Sequence, residues 1–317
     1  MFVESAIIIA CSFAIYHFGN AFAAASNRIG EHFALPKGVK GATLDAVSSS
    51  LPELMVALFA VIFFGSFDIG VATIAGSAAF NLLIIPAAAA LVAPAALRVG
   101  GHVLDRDGVF FFISLLLLTA TLWYTSSWGV WIALLFLGVY AVYVQRFITH
   151  AKENTTAKHV KTSLSRDTLI LLVTATGIAG ASYFLVQQAI SLAHALGVHP
   201  TLIAFTVIAA ATSVPDMVVS LANARQGSGD DALSNALGSN TFNILVGLPI
   251  PILAYVLLTG QPVALVFANT EILFGLLAAT LVLVLTVANG KDLTKRNGVF
   301  LLAVYAAFII YVFFFSL

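Results

Sequence analysis

The sequence predicts an all-α polytopic membrane protein with ten transmembrane helices, arranged as two five-helix repeats of inverted topology. Three observations predict it. Of 317 residues, 61% are hydrophobic and only 9% charged, with a mean hydropathy of +1.04, which excludes a soluble domain built around one core. The fourteen basic residues all fall between alternate apolar runs. The second half of the chain also repeats motifs of the first.

A helical span needs about 20 apolar residues. Such runs lie near 3 to 26, 38 to 64, 68 to 95, 108 to 126, 128 to 147, 167 to 195, 199 to 225, 229 to 258, 264 to 288 and 297 to 316. No basic segment precedes the first, which is read as a retained helix rather than a cleaved signal. Arg28, Lys37 and Lys40 follow span one; Arg98 and Arg106 follow span three; Arg146, Lys152, Lys158, Lys161 and Arg166 follow span five. Arg225 follows span seven, and Lys291, Lys295 and Arg296 follow span nine. Positive charge near span ends stays on the cytoplasmic side, so both termini are expected outside.

Span one holds His17 and Asn20, expected to be satisfied by neighbouring helices, and Cys11, a lone cysteine that excludes an internal disulfide. Span two runs through Ser48-Ser49-Ser50-Leu51-Pro52-Glu53 and span seven through Ala211-Thr212-Ser213-Val214-Pro215-Asp216. A carboxylate at mid-helix costs roughly 2.5 to 3.5 kcal/mol to insert and needs a purpose. Each proline frees the carbonyl four residues earlier, so a helix break is expected at Pro52 and at Pro215. Carbonyl, hydroxyls and carboxylate at one depth make a hard oxygen cage suited to Na⁺ or Ca²⁺. Span three carries Gly76-Ser77, which permits close helix approach, and Asn81 one turn on, which offers an amide oxygen. Spans four and five are nearly featureless, and Trp123, Trp128 and Trp131 read as lipid-facing or interfacial.

Pairing Pro52 with Pro215 offsets the chain by 163 residues; pairing G-S-A-A-F-N-L-L at 76 to 83 with G-S-N-T-F-N-I-L at 238 to 245 offsets it by 162. That agreement is the mark of a duplicated unit. Five spans being odd, the second copy enters the membrane the other way up, which sets paired helix breaks face to face at the midplane. The domains expected are 1–147 and 167–317, joined by a cytoplasmic linker at 148–166.

The motifs T-S-V-P-D at 212 to 216, A-R-Q-G-S-G-D at 224 to 230 and S-N-A-L-G-S-N-T-F-N-I-L-V-G-L at 234 to 248 resemble the second alpha-repeat of the calcium/cation antiporter superfamily. G-A-T at 41 to 43, S-L-P-E-L at 50 to 54 and D-I-G-V-A-T-I-A-G-S-A-A-F-N at 68 to 81 are similar to its first repeat. The wording is most similar to the potassium-dependent sodium/calcium exchanger branch. The resemblance implies a transporter rather than an enzyme, in which four helices surround an ion site and the two long helices opening each half slide across them. It implies no cofactor beyond the transported Na⁺ and Ca²⁺. By position it assigns the carboxylates to Glu53 and Asp216, hydroxyls to Ser49, Ser50, Thr212 and Ser213, and further ligands to Ser77, Asn81, Ser239 and Asn243. Backbone carbonyls near Ala46 and Ala209 complete the set.

The potassium-dependent branch ends its second repeat F-D-I-L where this chain has Asn243 in F-N-I-L. Two carboxylates balance one Ca²⁺ or two Na⁺, and a K⁺-independent exchange is expected. Asp45, two turns before Glu53, is open to three readings: a third charge, a proton site, or a residue of the cytoplasmic vestibule. The expected activity is Na⁺/Ca²⁺ antiport by alternating access in a plasma (inner) membrane; the alternative is a proton-coupled exchanger for Ca²⁺ or another divalent cation. A net charge of zero gives no footprint for nucleic acid. Asp230 and Asp231 suit the N-terminus of span eight, with ion entry a second possibility for Asp230. The short loops suggest a prokaryotic protein without a regulatory insert, and nothing in the sequence speaks to oligomeric state.

Overall fold

The computed structural model describes residues 1–35, 44–151, 163–264, 270–287 and 292–315. It is mostly helical. In chain order the helices are α1 (Phe2–His32), α2 (Ala46–Phe64), α3 (Phe67–Val92), α4 (Leu104–Tyr124), α5 (Val130–Ala151), α6 (Leu164–Leu196), α7 (Pro200–Thr212 and Val214–Arg225), α8 (Gly229–Thr259), α9 (Thr270–Val287) and α10 (Lys295–Phe315). Among the described residues α1 to α4, α6, α8 and α10 are each long and apolar enough to cross a membrane. The two pieces of α7, bent by 45°, together make an eighth candidate, and α5 and α9 carry shorter apolar stretches, Val130–Arg146 and Gly275–Val287.

The apolar window of α3 is 78% buried, against 22% for α1, so α3 is central and α1 peripheral. The long α1 lies along the equally long α6, and α2 contacts both. Arg28 near the end of α1 pairs with buried Asp167 at the start of α6, Nη2 to Oδ1 at 2.7 Å. Against α3 runs the first piece of α7, and here Gly76 decides the spacing: a Cβ on it would stand 2.0 Å from the Phe205 carbonyl oxygen and 2.7 Å from the Ala209 Cβ. The close approach expected of Gly76 is therefore present, between the halves of the chain.

Wide, π-helical turns interrupt α3 at Phe80–Ile84 and α8 at Asn243–Gly247. Proline explains both. Pro86 and Pro249 have no N–H for the carbonyls of Leu82 and Leu245, each inside the wide turn, so the helix loosens there. Asn81 and Asn243 sit in these turns.

Two short antiparallel contacts tie the loops together. Ser127–Trp128, between α4 and α5, pairs with Val263–Ala264, after α8; Leu97, after α3, pairs with Leu293, before α10.

Two expectations are corrected. Pro52 does not break its helix: α2 is continuous from Ala46 to Phe64, with the irregularity moved back to a wide turn at Leu44 and Asp45. In α7 the break occurs, at Ser213, whose ψ of −1° leaves the helical range two residues before Pro215. Trp128 is not lipid-facing but fully buried, against Phe67 and Phe136, because the paired loop strands fold it inward. Trp123 and Trp131 are exposed as expected. Lys37, Lys40, residues 41–43, Lys152, Lys158, Lys161, Lys291 and most of the 148–166 linker lie outside the described residues.

Candidate ion-binding site

Glu53 on α2 and Asp216 at the start of the second piece of α7 are both completely buried. The hydrogen-bond partners found for their side chains are neutral hydroxyls and an amide, so no basic side chain is among them.

Each carboxylate organises a small network drawn from both halves of the chain. Glu53 Oε1 accepts from the Ser77 hydroxyl at 3.3 Å; that hydroxyl lies 2.8 Å from Ser213 Oγ and 3.5 Å from Asn243 Nδ2. Asp216 is held more tightly. Ser239 donates to its Oδ1 at 2.7 Å and Asn81 Nδ2 to its Oδ2 at 3.1 Å, while Ser49 lies 3.1 Å from the Ser239 hydroxyl. The wide turns place Asn81 and Asn243, and the bend at Ser213 places Asp216.

Among the described residues, four buried oxygens of this site have no hydrogen-bond partner: Glu53 Oε2, Asn81 Oδ1, Asn243 Oδ1 and Ser50 Oγ. A buried polar atom left unpaired costs about 1 to 3 kcal/mol, more for a charged one. One carboxylate oxygen, two amide oxygens and a hydroxyl, set beside a second carboxylate, are the hard donors that Na⁺ and Ca²⁺ take. The set fits such a cation as cargo.

Of the residues assigned by sequence, Glu53, Asp216, Asn81, Asn243, Ser49, Ser77, Ser213 and Ser239 thus enter the two networks, and Ser50 lies buried and unpaired. Thr212 turns its hydroxyl back on its own helix, to the carbonyls of Ile208 and Ala209, and the Ala46 carbonyl accepts from Ser49 at 3.4 Å. Asp45 is not in either network. It lines a cavity of about 450 Å³ with Asn20, Arg106, Asp107 and Asp231, which reaches in as far as Ser49 and Ser239.

Three polar residues escaped the sequence reading. Asn240 is fully buried; its Oδ1 accepts from Asn81 at 3.0 Å and its Nδ2 donates to the Ala78 carbonyl at 3.3 Å. Asn235 donates to the Asp216 carbonyl at 3.1 Å and to Ser220 at 3.0 Å, pinning α8 to α7. Asp107, buried on the cavity wall, receives two bonds from Arg106, at 3.0 and 2.9 Å, one from Ser234 at 2.6 Å and one from Tyr143 at 3.3 Å. Asn235 and Asn240 stand inside the quoted motif, where their type already marked them; nothing near Asp107 in the sequence distinguished it from a loop residue.

The family model described as "Sodium/calcium exchanger protein" matches residues 4–149 and 167–314 of this chain. The chain belongs to the sodium/calcium exchanger family. Within the family, it is 34% identical over 145 residues to the sodium/calcium exchanger MaX1 of Methanosarcina acetivorans, a match covering 46% of this chain and 40% of that one. To the sodium/potassium/calcium exchanger 1 of Gallus gallus it is 37% identical over 139 residues, 42% of this chain and 20% of the other. These matches span less than half the length of the relatives. A solved structure of the sodium-calcium exchanger NCX_Mj, soaked with Na⁺ and Ca²⁺, superposes with a TM-score of 0.68 at 21% identity over 99% of both chains. At that identity the likeness establishes the exchanger fold.

Proposed function

We propose that this chain is a secondary transporter that exchanges Na⁺ for Ca²⁺ at one site buried at the middle of the bilayer. The observation that carries the reading is that two buried carboxylates from opposite halves of the chain come with four unpaired oxygens, one of them Glu53's own Oε2 and the others those of Asn81, Asn243 and Ser50. Two negative charges buried together are costly, and a bound cation offsets the cost. Glu53 and Asp216 supply the charge; Asn81, Asn243, Ser50, Ser77, Ser213, Ser239 and Ser49 supply neutral oxygens; the carbonyls of Ala46 and Ala209 close the set. One Ca²⁺ or two Na⁺ neutralise the pair, so the two cargoes exclude one another, and that exclusion couples their movements.

The reading includes ten spans in two inverted repeats, 1–147 and 167–317. The loop contacts support this symmetry. Shifted by about one half of the chain, Leu97 falls near Val263 and Trp128 near Leu293, so each contact is the image of the other. The wide turns at Phe80–Ile84 and Asn243–Gly247 are likewise offset by 163 residues.

The cavity that reaches Ser49 and Ser239 is also lined by Asp45, Arg106 and Asp231, and Arg106 belongs to the basic segment that follows the third span. By the positive-inside rule this is the cytoplasmic end, and the conformation is inward-open. Alternating access then requires closing this cavity and opening one on the other side, with both termini outside a plasma (inner) membrane. Asn243, in place of a third carboxylate, makes the exchange independent of K⁺.

Uptake of ⁴⁵Ca²⁺ into proteoliposomes holding Na⁺, with pH clamped, tests the reading. Flux that requires the outward Na⁺ gradient supports it. Unchanged flux without Na⁺, but dependent on a pH gradient, would replace it with proton-coupled exchange.

A further inference from the structure

The two asparagines that face the ion are not held alike. Asn81 Nδ2 spends its two hydrogens on two acceptors, Asp216 Oδ2 at 3.1 Å and Asn240 Oδ1 at 3.0 Å, while Asn243 Nδ2 reaches, among the described residues, only the Ser77 hydroxyl, at 3.5 Å. Both leave their Oδ1 buried and unpaired. The difference traces to Asn240. In the internal repeat its place is taken by Ala78, which has no side-chain polar atom, so the first half cannot provide for Asn243 what the second half provides for Asn81.

We infer that Asn240 is a positioning residue that locks the Asn81 carbonyl oxygen toward the cation, making the Asp216 side of the site stiffer than the Glu53 side. The orientation is forced, step by step. The Ala78 carbonyl can only accept, so Asn240 must present its NH₂ there, at 3.3 Å, and its oxygen to Asn81. Asn81 must then point its own NH₂ at Asn240 and Asp216. Turning that amide over would set its oxygen against two other oxygens among fully buried side chains, and would aim an N–H at the cation. Asn240 has both ends of its amide engaged by protein groups, the oxygen on Asn81 and the NH₂ on the Ala78 carbonyl. It therefore acts through Asn81, as the outer partners of metal ligands do.

The inference rests on the exchanger reading, and its test separates the two. Ca²⁺ binding to the detergent-purified full chain is measured by ⁴⁵Ca²⁺ equilibrium binding and by the Ca²⁺-dependent rise in unfolding temperature, for the native protein, Asn240→Ala, Asn81→Ala and the double variant. Loss of an outer partner typically weakens metal binding about 10- to 100-fold, and Asn240→Ala is expected in that range. In the Asn81→Ala background the same change is expected to weaken binding no further than about threefold, because it has no ligand left to orient; that limit is a small part of the 10- to 100-fold loss. A purely structural asparagine would lower the unfolding temperature without Ca²⁺ and leave the Ca²⁺-dependent rise intact. That outcome overturns the inference, as does native-like binding by Asn240→Ala, or a loss that multiplies with that of Asn81→Ala. A native chain that binds no Ca²⁺ overturns the exchanger reading instead.

Discussion

The hydroxyl of Ser77 on α3 lies 2.8 Å from the hydroxyl of Ser213 at the bend of α7, and the same Ser77 oxygen is 3.3 Å from Glu53. One serine thus joins the carboxylate of the first half to the broken helix of the second. The contact is possible because Gly76, its neighbour, lets the Phe205 backbone come within van der Waals reach of α3. Movement of either helix must therefore disturb the ion site.

Neutralising either carboxylate should abolish exchange without unfolding the protein. Glu53→Gln and Asp216→Asn remove a charge that is fully buried among neutral partners, so the ion-free protein should unfold at the same temperature or higher. Na⁺-driven ⁴⁵Ca²⁺ uptake should fall to the level of empty liposomes. Uptake above a tenth of native in either variant would contradict the two-carboxylate site.

Enlarging Gly76 should be costly although it touches no ion. An added methyl would stand 2.0 Å from a backbone oxygen, which cannot swing aside as a side chain could. Overpacking of this kind costs about 1 to 3 kcal/mol, occasionally more, and Gly76→Ala should lower the unfolding temperature accordingly. Flux should drop as well, because the crossing that Gly76 allows also sets the Ser77–Ser213 contact.

Much of this arrangement was legible before the structure. The spans, the repeated motifs and Glu53, Asp216, Asn81 and Asn243 stand out because polar groups in an apolar run have so few reasons to be there. What the sequence did not disclose depends on distances between helices far apart in the chain. Pro52 and Pro215 look equivalent, yet among the described residues α2 runs unbroken through Pro52 while α7 bends at Ser213, two residues before Pro215. Pro86 and Pro249 were the legible clue to the wide turns carrying Asn81 and Asn243. Asp107 had no local signal, because its partners Ser234 and Tyr143 come from two other helices.

The Arg106–Asp107 pair should matter as a pair. Arg106 lines the cavity and is about a third exposed, whereas Asp107 is 1% exposed and fully hydrogen-bonded. Asp107→Asn removes the carboxylate that takes two hydrogen bonds from the Arg106 guanidinium, which raises the positive charge on the cavity wall. Breaking a buried pair from one side costs about 3 to 5 kcal/mol, discounted here because Arg106 reaches solvent. Asp107→Asn should lower both the unfolding temperature and the rate of Ca²⁺ uptake, and the added Arg106→Gln should restore part of the rate. A double variant as slow as Asp107→Asn would show that charge on the wall is irrelevant.

Potassium is the last test, and it turns on one side chain. With Asn243, the carboxylates of the site are Glu53 and Asp216, and its unpaired amide oxygen is neutral. A divalent cation already cancels that charge, so K⁺ would leave the buried site positive, and native flux should be the same in K⁺ and in choline. Asn243→Asp adds a charge 3.5 Å from the Ser77 hydroxyl, beside the Glu53 network. Three carboxylates around one Ca²⁺ leave a net negative site in a low-dielectric interior, which a monovalent cation relieves. Ca²⁺ uptake by Asn243→Asp should therefore be slow in choline and stimulated by K⁺. If K⁺ leaves the variant unaffected, or if the native chain already needs it, charge balance at Glu53, Asp216 and residue 243 does not decide which ions this site admits.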